Sequence, residues 1–251
     1  MKPATLLLLT LTALLLNPAR ANSTTYTSTA VRNTLLELYT SEGCSSCPPA
    51  ERWLSKLKQD PRLWKTLFPV AFHVDYWDNL GWKDRYSDAR HSNRQRRYVT
   101  RGYAGTVYTP GFFRNGREWR GYFDRGSLNP DRSDTVGRLS ASVTTQQIDV
   151  AFKPGTHINA TELNIAVLGF DKTTPIRAGE NAGKVLHHDF VVLAHQQYQG
   201  NDNRWQVTDT RLLNQIGKGG AIVLWLTQKN NPTPIQVAGG WIAENSNLTN
   251  N

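Results

Sequence analysis

Cys44 and Cys47 are the two cysteines of the chain and stand in the run Gly43-Cys44-Ser45-Ser46-Cys47-Pro48-Pro49. Two thiols at this spacing can exchange electrons with a partner disulfide, stay locked as a local structural bridge, or bind a soft metal ion. Placement separates these readings. Leu35 to Tyr39 reads as a buried strand, and Ala50, Trp53, Leu54 and Leu57 recur at i, i+3, i+4 and i+7, one apolar face of a helix ending near Gln59. Pro48 and Pro49 suit the first turn of that helix, where a missing N–H costs nothing. A thiol at a helix start faces unpaired N–H groups and the positive end of the macrodipole, and both favour thiolate. A free thiol pKa of about 8.5 can fall to ~3.5–7.5 in such settings. Cys44 is expected to be the more exposed, attacking sulfur, and Cys47 to resolve the mixed disulfide. A structural bridge over so short a loop would stabilise little through chain entropy. A zinc or copper site would need Cys44 and Cys47 with His73 or His91.

The elements around the pair must position it. Val70 to Tyr76 reads as the next strand, so strand, helix and strand form a unit with a parallel pair. Glu37 interrupts the first strand and His73 and Asp75 the second; Glu37 or Asp75 could accept the proton of Cys47. The bland alternative is a strand-end carboxylate bonded to backbone or to an Arg. Val107 to Arg114 resumes as strand through Thr109-Pro110, Asn115-Gly116 marks a hairpin, and Pro130 to Ser142 reads as a closing helix. Beyond Gln146, runs at 148–152, 163–170, 185–195, 221–227 and 235–242 suggest an antiparallel sandwich, with a turn or two of helix at 210–215. His187 and His188 are adjacent, so in a strand they point to opposite faces and cannot both line one metal site.

Composition narrows the class. With 39% apolar, 20% charged and 10% aromatic residues over 251 positions, the chain is neither disordered nor fibrous. Lys2, the apolar run Ala4 to Leu16 and Ala19-Arg20-Ala21 read as a secretory leader over residues 1–21, which implies a periplasmic or secreted product. No Cys at the junction would take a lipid, and the leader's apolar run, the one long apolar stretch, is too short to span a bilayer comfortably. Without the leader, 27 basic and 20 acidic side chains remain, and between Trp82 and Gly126 eleven basic face four acidic ones. This basic and aromatic stretch suits acidic partners or a solvated helix face; export argues against nucleic acid.

The run Glu37 to Ala50, Phe72-His73-Val74-Asp75-Tyr76-Trp77-Asp78, Gly81-Trp82-Lys83-Asp84, Arg94-Gln95 with Tyr98, and Tyr108-Thr109-Pro110 resemble the thioredoxin superfamily. More narrowly they are similar to a family of secreted bacterial thioredoxin-like proteins, domain of unknown function 1223. Gly179-Glu180-Asn181-Ala182-Gly183 extends the likeness into the second half. The resemblance implies an α/β thioredoxin-like domain over 34–143, with a helical insertion at about 77–106. A small antiparallel β-sandwich-like domain over 146–245 would follow, with a lead-in at 22–33 and a tail at 246–251. It also implies a cis Thr109–Pro110 loop that faces the cysteines and offers backbone to an extended peptide. Where family members carry Gln after Thr-Pro, this chain has Gly111. The leading expectation is an exported thiol–disulfide oxidoreductase acting on protein or peptide thiols and disulfides, with no organic cofactor. A non-catalytic binding or assembly protein and a copper or zinc carrier are the alternatives.

Overall fold

In the computed structural model the described residues are 23–128, 134–155 and 160–242. The leader, the tail and part of the expected closing helix lie outside them. The chain runs β1 (Thr24–Thr27), β2 (Thr34–Thr40), α1 (Cys47–Ser55), β3 (Leu67–His73), α2 (Ala89–Thr100), β4 (Gly111–Arg114), β5 (Arg117–Glu118) and α3 (Gly121–Asp124). It continues with β6 (Gly137–Val143), β7 (Ile148–Pro154), β8 (Glu162–Gly169), β9 (Lys172–Pro175), β10 (Val185–His188), β11 (Val191–Gln199), β12 (Arg204–Val207), α4 (Thr210–Ile216), β13 (Ala221–Thr227) and β14 (Val237–Trp241). A 3-10 turn, Lys56–Gln59, extends α1.

An eight-stranded sheet in the order β14-β13-β8-β11-β3-β2-β4-β5 dominates the molecule. β2 and β3 are parallel with Leu38 opposite Ala71, and β11 joins β3 in parallel at Val191 and Ala71. The other neighbours in this sheet are antiparallel. Strands β8 and β13 are buried along their whole length, so their side chains serve two cores by alternation. Ala166, Leu168, Val223 and Trp225 join Leu36, Phe72 and Phe112 on one face. Ile165, Val167, Ile222 and Leu224 face the other way, onto Leu139, Val150 and Trp205 of the four-stranded sheet β1-β6-β7-β12. The hairpin β9–β10 stands apart as a two-stranded ribbon.

This architecture corrects the expected fold. The described residues are mostly β, with 40% strand against 17% helix, and do not form a helix-inserted α/β thioredoxin-like domain followed by a separate small sandwich. Strands from both halves share one sheet, because β11 lies beside β3. Alternation of apolar residues identifies a strand but not its neighbour, and runs apolar on both faces needed a cover that a small sandwich could not supply. The expected division between 143 and 146 falls in the turn between β6 and β7, which pair Val143 with Ile148. The closing helix is also corrected: 137–143 is strand, with Leu139, Ala141 and Val143 buried in alternation, and 129–133 lie outside the described residues. The α2 helix begins where Asp88 caps it by accepting from the Arg90 N–H at 2.8 Å. No helix among the described residues is long and apolar enough to cross a membrane.

Candidate functional site

After β2 the backbone turns through Ser41 to Ser46, with Cys44 N–H donating to Ser41 O and Cys47 N–H to Cys44 O, both at 3.2 Å. Cys47 is the first residue of α1, and prolines fill the start of that helix. The two cysteines are free thiols. Cys44 Sγ lies 3.2 Å from Ser46 Oγ and 3.8 Å from Thr109 O. Hydrogen bonding from the Cys47 thiol, opposed by burial and aided by Ser46 and Thr109, lowers the Cys44 pKa to about 6. Burial, then the adjoining Cys44 sulfur and the Glu51 charge, push the Cys47 thiol well up. Thus one sulfur is held ready to ionise and the other keeps its proton. Cys44, expected to be the more exposed sulfur, is itself buried at 1% exposure against 0% for Cys47, although Ser45 and Ser46 beside them are exposed.

The Thr109–Pro110 bond is cis, and Pro110 is buried at the entry to β4. Trp77 Nε1 donates to Thr109 Oγ1 at 2.8 Å. That bond orients the Thr109 side chain, which is among the groups that lower the Cys44 pKa. Behind the loop, Gln95 of α2 donates to Tyr108 O at 2.7 Å and accepts from the Tyr76 hydroxyl at 3.1 Å. A side chain at Gly111 would place its Cβ 2.8 Å from Tyr108 O and 3.1 Å from Gln95 Nε2, so glycine there keeps the Gln95 bond intact. Trp77→Phe is expected to move the ionisation midpoint of Cys44 upward, with Thr109→Val moving it further; a pH series of alkylation rates measures both.

Residues from the second half close over the cysteine loop. Asn181 Nδ2 donates to Glu42 O at 2.9 Å and to Cys44 O at 3.0 Å, and Glu180 accepts from Ser45 N–H at 2.9 Å. Gly179, at φ +74°, lies so close to Gly81 that a Cβ on Gly81 would stand 3.3 Å from Gly179 Cα. The Gly-Glu-Asn-Ala-Gly motif is therefore part of the site, in a role the sequence did not reveal.

The carboxylates expected near the disulfide sit elsewhere. Glu37 is buried in a bidentate pair with Arg94, Nε to Oε2 at 2.8 Å and Nη2 to Oε1 at 3.0 Å, and accepts from Tyr39 and Tyr98. Asp75 is half-buried and bonded by the Ser92 hydroxyl. The acid that does approach Cys47 is Glu51, one helical turn on, and its i, i+4 spacing was the signal available for it. Around Glu51, His188 Nδ1 contacts its Oε2, Thr40 donates to its Oε1 at 2.6 Å, and His188 Nε2 lies 3.2 Å from Glu42. Burial alone would hold His188 neutral, but Glu42 and Glu51 raise its pKa to about 10. His73 Nδ1 meets Asp84 at 2.6 Å, and Trp82 donates to Glu42 at 2.8 Å. The metal-capable group that His73 joins among the described residues is thus Glu51 and His188, not the cysteines. As the alternation along β10 requires, His188 is buried and His187 exposed.

Among solved structures, the chain is similar to protein AGR_C_4864 from Agrobacterium tumefaciens, at 22% identity and a TM-score of 0.59 over 88% of this chain and 98% of that one. It is also similar to HBP35 of Porphyromonas gingivalis, at 13% identity and a TM-score of 0.53 over 89% and 80% of the two chains. At these identities the likeness is one of fold. No curated protein matches the chain. A family profile matches residues 35–226, which take in the cysteine pair, the Thr-Pro loop and the Asn181 motif. The chain belongs to the family described as protein of unknown function (DUF1223).

Proposed function

We propose that this chain is an exported thiol–disulfide oxidoreductase whose partners are protein or peptide thiols and disulfides. The observation that carries the reading is the seat of Cys44 Sγ, between the Ser46 hydroxyl at 3.2 Å and the Thr109 carbonyl at 3.8 Å, beside a second thiol. The Cys44 thiolate attacks one sulfur of a partner disulfide, forming a mixed disulfide and expelling the other sulfur as thiolate, which takes a proton from solvent. Cys47 then attacks Cys44 Sγ, the mixed bond breaks, and the proton of Cys47 leaves on the released thiol. Two electrons pass from the pair to the partner, and the reverse sequence oxidises a partner dithiol. A partner would approach past the exposed Ser45 and Ser46 that flank the sulfur, where Trp77 and Thr109 are half-buried. Exposed Lys83, Arg85, Arg96 and Arg101 favour acidic partners. Kinship with the thioredoxin superfamily rests on the strand–turn–helix unit of the cysteines and on the Thr109-Pro110 loop.

The low exposure of Cys44 favours a second reading, a docking protein whose cysteines are inert. Equilibration of the native chain with glutathione buffers, followed by thiol titration, separates the two. Exchange at a moderate potential is the expected result; a pair that exchanges only after the chain is unfolded would leave the docking role.

A further inference from the structure

Beneath the cysteine loop lies a group of buried side chains that disulfide exchange does not use. Glu51 of α1, His73 at the end of β3 and His188 at the end of β10 each offer one ligand atom, and these atoms lie within 4.8 Å of one another. All three are buried, so they are not a chance surface cluster. Each imidazole has its own carboxylate. Asp84 Oδ2 is 2.6 Å from His73 Nδ1, and the opposite nitrogen of that ring, Nε2, has no partner. His188 Nε2 faces Glu42 Oε1 at 3.2 Å as an ion pair, and its Nδ1 contacts Glu51 Oε2. A buried polar atom left without a partner is costly, and His73 Nε2, aimed at this group, calls for an occupant.

We propose that Glu51, His73 and His188 bind a divalent transition-metal ion of the zinc type. Two imidazoles and one carboxylate form the donor set of zinc sites that keep a fourth position open. His73, with Nδ1 held by Asp84, ligates through Nε2. His188 ligates through Nδ1, the ion replacing the proton between that nitrogen and Glu51, and its Nε2–H is left to Glu42. Carboxylates placed behind ligating histidines in this way fix the ring tautomer and strengthen the ligand. In a tetrahedral site, ligands about 2.0–2.1 Å from zinc are about 3.3 Å apart, so separations now up to 4.8 Å shorten by at most about 1.5 Å on loading, while the His188–Glu51 contact opens to admit the ion. The ligands come from α1, β3 and β10, in both halves of the sequence, and the site is independent of whether the cysteines exchange disulfides.

The test uses the full chain with Cys44→Ser and Cys47→Ser, which removes thiolate ligation, stripped with a chelator and titrated with Co(II) and Zn(II). One equivalent of Co(II), with the visible absorption of a tetrahedral ion and no thiolate-to-cobalt charge-transfer band, is expected. His73→Ala and His188→Ala, each added to that background, should abolish it, and Asp84→Asn should weaken zinc binding about 10- to 100-fold. Because a histidine variant can fail to fold, circular dichroism accompanies each titration, and a rise in the unfolding midpoint of the wild-type chain with zinc gives a second readout. Absence of cobalt binding in the double-serine chain, or affinity unchanged by His188→Ala in a folded variant, would overturn the proposal.

Discussion

Arg94→Ala is expected to destabilise the folded chain by about 3–5 kcal/mol, because it strands the Glu37 carboxylate in the interior. Arg94 and Glu37 are both 0% exposed. The guanidinium also donates to the Tyr98 hydroxyl at 2.9 Å and to Pro232 O at 3.3 Å, and lies over the rings of Phe72, Tyr98 and Trp225. It therefore fastens α2 to β2, to β13 and to the loop beyond β13, which join the two halves of the sequence. The same helix carries Gln95, which holds the Tyr108 carbonyl, so loosening it also disturbs the Thr109–Pro110 loop. The cost belongs to the broken pair rather than to the lost charge. Glu37→Gln with Arg94→Met should accordingly be less destabilised than the two single changes added together. Urea denaturation of the three variants measures this. An Arg94→Ala chain within about 1 kcal/mol of wild type would show that Glu37 finds another partner or water.

Much of the neighbourhood of the cysteines was legible in the sequence. The apolar spacing at Ala50, Trp53, Leu54 and Leu57 yields α1 and its 3-10 extension. Asn115-Gly116 forms its hairpin with both residues at positive φ, and β2 and β3 pair in parallel. These are local signals, and local signals stop at the edge of each element. The sheet order was hidden because the contact that joins the halves, Val191 beside Ala71, depends on which buried strand finds which neighbour. The basic stretch between Trp82 and Gly126 looked like a continuous charged surface, yet Arg94 from its middle is an interior residue paired with Glu37. The reading that Glu37 is bonded by an Arg was available from its residue type alone; the identity of that Arg was not. In the same way Glu51 and His188 are 137 positions apart and meet only because β10 returns to α1, so no spacing rule points to their cluster.

At the cysteines the largest expected effect is on ionisation. With a pKa of about 6, Cys44 is about nine-tenths thiolate at pH 7, whereas an ordinary thiol near 8.5 is about 3% ionised, a difference of roughly 30-fold. The cause is the hydrogen bonding that reaches the sulfur from Cys47, Ser46 and Thr109, which burial opposes without overcoming. The shift favours attack at neutral pH, although a more acidic thiolate is intrinsically a weaker nucleophile, so the gain in rate is smaller than the gain in thiolate. Cys47 stays protonated over the same range, which lets a single alkylation be assigned to Cys44.

Whether Cys44 is an activated, reachable nucleophile is decided by its rate of alkylation by iodoacetamide in the reduced, native chain as a function of pH. Labelling of Cys44 alone is expected, with a rate that rises through a midpoint near 6 and is level at neutral pH. A midpoint at the value of a free thiol, or no labelling until the chain is unfolded, would contradict it.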